Sequence, residues 1–338
     1  MSWNRTNLLI AAAAERVGAT VEALSSRHTD SLLRLRGGGR SVVISKTRSP
    51  FLTQVAQTLA NNKFVSRELL GRRGVPVVES VLVDEGDDPG GAAVRGMLER
   101  AGRVVVKPNW GNRGVGITTD VRTIAAARRA CARAQAVDDD EEALVEPYVA
   151  GTNVRVAVIG GEFVAAAEVV RPVLLGGSSA AAQVRSLNED VRRGVWTRPG
   201  FEPMDRIEPD EDLVEHLKVH GYAMDQVLPD GAVIEVVGEE AEVIDRTGEL
   251  HAGWAQVAVD ACAWLGVDVG GVDLRGPLAA FRAAPGGDGA VLLEVNVRPA
   301  LHLHALPTHG VARPVFDKFV AYCLQLDGVP RACAAVRV

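Results

Sequence analysis

Three segments hold residues whose types and spacing could do chemistry. Val104 to Thr119 reads VVVKPNWGNRGVGITT. Three consecutive valines suit a strand buried on both faces, and Pro108 biases Lys107 to an extended conformation, so its ammonium stands at the strand end. A cation against a buried strand is costly unless an anion meets it. Gly111, Gly114 and Gly116 follow, a loop whose backbone N–H groups can approach phosphates closely. No Lys-Ser/Thr follows the last glycine, which excludes a Walker A loop. The competing reading is a plain glycine hairpin beside a snorkelling lysine.

The second segment, Val291 to Pro299, reads VLLEVNVRP. Alternation puts Glu294, Asn296 and Arg298 on one side. A carboxylate in so apolar a run needs compensation, which a hard cation held by Glu and Asn oxygens would supply. Arg298 could meet a phosphate or carboxylate, and Asp273, closing VGGVDL, is a third candidate oxygen ligand. A structural Glu–Arg ion pair with an edge Asp is the alternative. In the third segment, a strand runs into Glu146-Pro147-Tyr148-Val149. Pro147 has no N–H for a ladder, so free backbone groups here could hold a flat heterocycle, or the stretch is simply an inter-domain connection.

The elements that must position these groups alternate along the chain. Asn7–Val17, Phe51–Ala60, Lys63–Arg72, Ala92–Ala101, Val121–Ala136, Asp212–His220, His251–Leu265 and Val315–Leu326 read as helices. Strands are expected at Val81–Asp84, Val104–Lys107, Ala143–Glu146, Ala232–Val237, Gly271–Leu274 and Val291–Asn296, with hairpins at Leu32–Ser45 around Gly37-Gly38-Gly39 and at Val154–Val170 around Gly160-Gly161. Asp138–Glu142 reads as a solvated acidic loop, and Arg185, Arg192 and Arg193 as a solvated basic face, with contact to an acidic substrate as the alternative. The sum is α+β with antiparallel sheets in several lobes.

The chain has 338 residues, 47% of them hydrophobic, and a net charge of −6. That length suggests about two domains, and the mild acidity gives no reason to expect nucleic-acid or membrane binding. Leu8 to Ala14 is too short to span a bilayer. Four scattered cysteines without metal-ligand spacing suit a reducing cytosol, so a cytoplasmic location is expected.

These segments in this order resemble the ATP-grasp fold, and within it the ligase domain of cyanophycin synthetase and glutathione-synthetase-like proteins. The resemblance runs from about Asn62 to Leu326. It includes NNKFVSRELLGRRGVPV, the Lys/Gly-loop segment, LVEPYVAGTNVRVAVIGGEFVAAAEVVRP, SLNEDVRRG, HGYAMDQVLPDG, GGVDL and LEVNVRPALHLHALPTHGVARPV. It implies an ATP-grasp N-terminal lobe over 61–150 and a C-terminal lobe over 151–338; the residues themselves read as a small N-terminal α/β domain over 1–60 and, in the Gly/Ser/Ala-rich then charged stretch 174–209, a mobile lid.

It also implies ATP and two Mg²⁺ ions. Lys63 and Lys107 would hold phosphates under a loop of Gly111, Asn112, Gly114 and Gly116. Glu146, Tyr148 and Val149 would cradle adenine, with Asn153 on the ribose side. Asp273, Glu294 and Asn296 would bind the metal. Arg155, Arg171 and Arg298 would hold the transferring phosphate, an acyl phosphate or a substrate carboxylate, with His304 and Arg313 in support. The implied activity joins a carboxylate to the amine of an amino acid or peptide through an acyl phosphate, in a protein that could form homo-oligomers. A kinase and a non-catalytic ATP-binding module are the alternatives.

Four departures surround the expected acceptor pocket. Asn153 stands where the family has an acid, Gly176-Gly177-Ser178 replaces Gly-Asp-Gly, and Pro299-Ala300 replaces Pro-Gly. VVGEEAEVID, Val236 to Asp245, stands in place of an Asn-x-Ser-Thr-Gly-Gly stretch. With no Mur-ligase-like half in this sequence, a stand-alone amino-acid or peptide ligase is expected rather than cyanophycin polymerisation.

Overall fold

A computed structural model describes residues 3–25, 31–111, 114–194, 204–287 and 289–326. Its centre is a five-stranded antiparallel sheet in the order Glu242–Asp245, Glu162–Val170, Thr152–Ile159, Val269–Gly276, Val291–Asn296. The period of two decides what each face does. Val154, Val156, Val158, Val272 and Leu274 turn to one side and bury against Trp254, Ala258, Ala261 and Leu265 of the helix Ala252–Leu265. The opposite face is divided. At one end Ala157, Ile159 and Val269 lie under Phe316, Phe319 and Val320 of the helix Val315–Leu324. At the other end Asn153, Arg155, Asp273, Arg275, Glu294 and Asn296 are left to face the site.

The second sheet has four antiparallel strands in the order Val81–Val83, Ala143–Pro147, Val104–Pro108, Thr118–Val121. Helices Ala92–Ala101 and Ile124–Gln135 cover it through Val94, Met97, Ala127 and Cys131. The chain passes between the sheets at Gly151 (φ +118°), where a Cβ would stand 2.1 Å from the carbonyl oxygen of Gly276, so only glycine fits. A smaller unit pairs Val173–Leu175 with Val233–Glu235 and packs helices Ala180–Leu187 and Glu211–Val219 around Leu174, Val184, Leu217 and Ile234.

At the N-terminus, strands Thr20–Ala23, Leu32–Gly37 and Arg40–Ser45 form a three-stranded sheet. Its glycine turn is a hairpin, with Gly38 and Gly39 at positive φ. This unit shares one apolar core with the C-terminal helix through Ile10, Leu33, Leu35 and Phe319. Among the described residues no helix is long and apolar enough to cross a membrane.

Several elements differ from expectation. Thr118–Val121 is a strand, so the next helix starts only at Ile124, capped by Thr123, whose hydroxyl accepts from Ala126 N. Glu242–Asp245 is an edge strand that its charged sequence disguised. The segment 174–209, expected as a lid, includes the helix Ala180–Leu187, which the sequence reading did not assign, with buried Ala180 and Val184. The acidic run is not simply solvated: buried Asp138 accepts from the backbone N–H groups of Trp110, Asp140 and Glu142. Those donors turn away from any ladder and need an acceptor. Arg193 is likewise buried rather than on a basic face, donating to the carbonyls of Asp205 and Glu240.

Candidate active site

Lys63 opens the helix Lys63–Gly71, whose N-cap Asn62 accepts from Val65 N at 2.9 Å. Its buried Nζ donates to the carbonyl oxygens of Asn109 (3.0 Å), Gly111 (3.1 Å) and Pro108 (3.3 Å), tying the helix start to the glycine loop. Lys107, also buried, reaches Glu146 Oε1 at 2.9 Å, and the same oxygen takes a hydrogen bond from Arg67. Burial lowers Lys107 to about 8, with Arg67 pushing the same way and Glu146 opposing. Burial also lowers Lys63, against the pull of Glu294. For Glu146 burial alone would raise the pKa, but Arg67 and Lys107 hold it below the usual carboxylate range.

Opposite the lysines, register lines three charges in one row. Glu294 pairs across the sheet with Asp273, and Asp273 with Arg155. Arg155 forms a two-point bond to Asp273, Nε–Oδ1 and Nη2–Oδ2 both at 2.6 Å. The ion pair found here joins Asp273 to Arg155 and is not the Glu–Arg pair considered from the sequence. Asn296 Nδ2 donates to Asp273 Oδ2 and Glu294 Oε1, each at 3.1 Å. Burial raises Asp273, and the neighbouring Glu294 adds to this. Burial would raise Glu294 too, yet Lys63, Lys107, Arg155 and Arg67 hold it low.

Two carboxylates and an amide make a hard donor set of the kind Mg²⁺ prefers. A half-turn of the Asn296 amide offers Oδ1 to the same point. A divalent cation there would relieve the crowding of two half-buried carboxylates. Among the described residues no cluster of three or more His, Cys, Asp or Glu side chains could hold a metal.

Tyr148 and Val149 lie at the crossing between lobes. Tyr148 N donates to Arg103 O at 3.1 Å, and the Arg103 guanidinium stacks 3.9 Å from its ring centroid. The Tyr148 hydroxyl donates to Glu235 at 2.8 Å. Arg275 binds Val149 O (2.7 Å), Asn153 Oδ1 (2.9 Å) and Glu235 (3.0 Å), and Arg171 reaches the other Glu235 oxygen at 3.0 Å. Asn153 therefore serves Arg275 as an acceptor, and Glu235 is the carboxylate of this corner.

The glycine loop crosses to the smaller unit. Gly116 N donates to Asp212 Oδ1 at 2.9 Å, and a Cβ on Gly114 (φ +80°) would meet Val237 Cγ1 at 2.7 Å. Asn112 lies outside the described residues. Arg298 lies past the strand end, half-buried between buried Val297 and Pro299. Arg67, Glu235 and Arg275 are the charged groups that sequence reading missed. Arg67 falls one turn after Lys63 and Arg275 two residues after Asp273, so helix and strand periods could have found both. Glu235 has no such signal, because its partners come from other segments.

No family profile matches the chain. It is 30% identical over 272 residues to cyanophycin synthetase of Nostoc sp. (strain PCC 7120), a match covering 76% of this chain and 28% of that protein. With the glutathione biosynthesis bifunctional protein of Pasteurella multocida it shares 29% identity over 268 residues, 77% of this chain and 34% of the relative. The chain thus spans between 28% and 34% of the length of these two relatives. Among solved structures, the bifunctional glutathione synthetase from Pasteurella multocida superposes with a TM-score of 0.59 at 23% identity, over 96% of this chain and 43% of that one.

Proposed function

Because the chain belongs to the ATP-grasp ligase family, we propose that it is an ATP-dependent carboxylate–amine ligase that forms an amide or peptide bond. The observation that carries this reading is a pair of buried lysines, Lys63 bonded to the glycine-loop carbonyls and Lys107 to Glu146, together with Asp273, Glu294 and Asn296 clustered on one row of the central sheet. Cations on one lobe and oxygen ligands on the other are what a nucleotide with its metal requires.

In this reading Lys63 and Lys107 bind phosphate oxygens, and the loop from Gly111 to Gly116 closes over them. Asp273, Glu294 and Asn296 hold Mg²⁺, which would neutralise charge on the phosphates. Tyr148 and Val149 orient the base, with Glu146 fixed beneath. A substrate carboxylate oxygen attacks the γ-phosphorus, ADP leaves, and an acyl phosphate forms. The amine then attacks the acyl carbon, phosphate leaves, and an amide remains. Arg155, Arg171 and Arg298 are the candidates to steady the transferring phosphate and the tetrahedral oxyanion. To do so, Arg155 must share Asp273 with the metal, and Arg171 must share Glu235.

The test is phosphate release from Mg-ATP across pooled amino acids and dipeptides, with product masses read alongside. Release that needs two substrates and yields a condensed product supports the ligase. A phosphorylated product without condensation identifies a kinase. ATP binding with no release in any pool points to a binding module.

A further inference from the structure

Arg67 is 3% exposed, and arginine is almost never so buried without partners. Its partners come from three separate pieces of chain. Nη1 donates to Glu146 on the strand Ala143–Pro147 and to Ser80 Oγ at 2.8 Å, while Nε donates to Leu293 O at 2.7 Å on the strand Val291–Asn296. Glu146 Oε1 is the oxygen that also receives Lys107, and Leu293 is the residue before Glu294. Lys63 stands one helical turn before Arg67 on the same helix. One planar group therefore spans from the counter-ion of a phosphate lysine to the backbone beneath the metal carboxylate. Nη2 is buried with no acceptor among the described residues, so the guanidinium is held by its other two nitrogens. A guanidinium fixes the angle between its donors, whereas an ammonium is a single point with free rotation.

We infer that Arg67 is a positioning residue, setting the separation of the Lys107–Glu146 pair from Glu294 so that nucleotide and divalent cation bind as one unit. The inference rests on the nucleotide and metal reading above. It implies that cation and nucleotide strengthen each other's binding, reciprocally, through Arg67.

Calorimetric titration of the full chain with ATP, in EDTA and in Mg²⁺, tests this on wild type, Arg67→Lys and Arg67→Met, with thermal melting run beside it. Arg67→Lys keeps a cation beside Glu146 but cannot also hold the Leu293 carbonyl. Its affinity in EDTA should stay within about threefold of wild type, while the tightening caused by Mg²⁺ falls about tenfold. Arg67→Met should lose both. If Arg67→Met fails to fold, Arg67→Lys alone decides. Full Mg²⁺ tightening in Arg67→Lys overturns the inference and leaves Arg67 as a structural charge. A wild type that binds no ATP overturns the nucleotide reading itself, and this inference with it.

Discussion

The two ends of the candidate site are built on opposite electrostatic plans. At the end with the lysines and Asp273, ion pairs join separate segments: Lys107 to Glu146, Glu146 also to Arg67, Asp273 to Arg155. At the acceptor end, Glu239 and Glu240 occupy the stretch where the family has Asn-x-Ser-Thr-Gly-Gly. Burial raises Glu239 to about 8, with Glu240 and Asp205 adding to the rise, and Glu240 is raised by burial and by Asp205. The first end holds its charges in mutual ion pairs. The second carries carboxyls that resist ionisation as they stand. Under the proposed function the first end takes the nucleotide and the second a substrate, so substitutions should pull the two apart.

The largest effect should come from Glu294→Ala. Losing one oxygen donor from a three-residue set should cut phosphate release by about a thousandfold or more. Far-ultraviolet circular dichroism should stay unchanged, because Glu294 points out of the packed face. Near-normal turnover would place the metal elsewhere and dissolve the contrast.

Lys107 gives the next effect. A lysine lowered to about 8 is charged below that pH and neutral above it, so ATP affinity should fall as pH rises through about 8. A bound phosphate favours the charged form and moves the midpoint upward. Lys107→Ala should bind ATP about ten- to a hundredfold more weakly at pH 7 and lose that alkaline limb. A wild-type affinity that stays flat to pH 9 would show that Lys107 is not the titrating group.

How much of this was legible follows from where each partner sits in the chain. Glu294 and Asn296 share a strand face, and Lys107 precedes its glycines, so short-range periodicity brought them out. Arg155–Asp273 is separated by 118 positions and Arg67–Glu146 by 79, and only sheet register and lobe docking reveal such pairs. The hairpin at Gly37–Gly39 was readable because strand-like runs flank a turn that needs positive φ. The edge strands Thr118–Val121 and Glu242–Asp245 were not, because edge positions tolerate the polar residues that read as loop. Arg193 went astray for a different reason: its acceptors are backbone carbonyls, which side-chain patterns do not show.

The smallest effect on nucleotide binding should come from the double variant Glu239→Gln, Glu240→Gln, and it separates the two ends most sharply. ATP affinity should change less than about threefold, while the KM for the second substrate shifts about tenfold, the scale of one altered polar contact in a pocket. Stability supplies an independent sign. A carboxyl whose folded pKa is raised contributes stability below its unfolded value near 4.3, and that contribution is lost as pH rises through the folded value. For Glu239 the window runs from about 4.3 to about 8. The wild-type melting temperature should therefore fall across that window by more than the variant's does. Parallel melting curves would mean that both glutamates are ionised and answered by cations, like those around Glu294. A collapse of ATP affinity in the double variant would mean that the loop at Gly238, touching Gly114 across the lobes, makes the two ends one site after all.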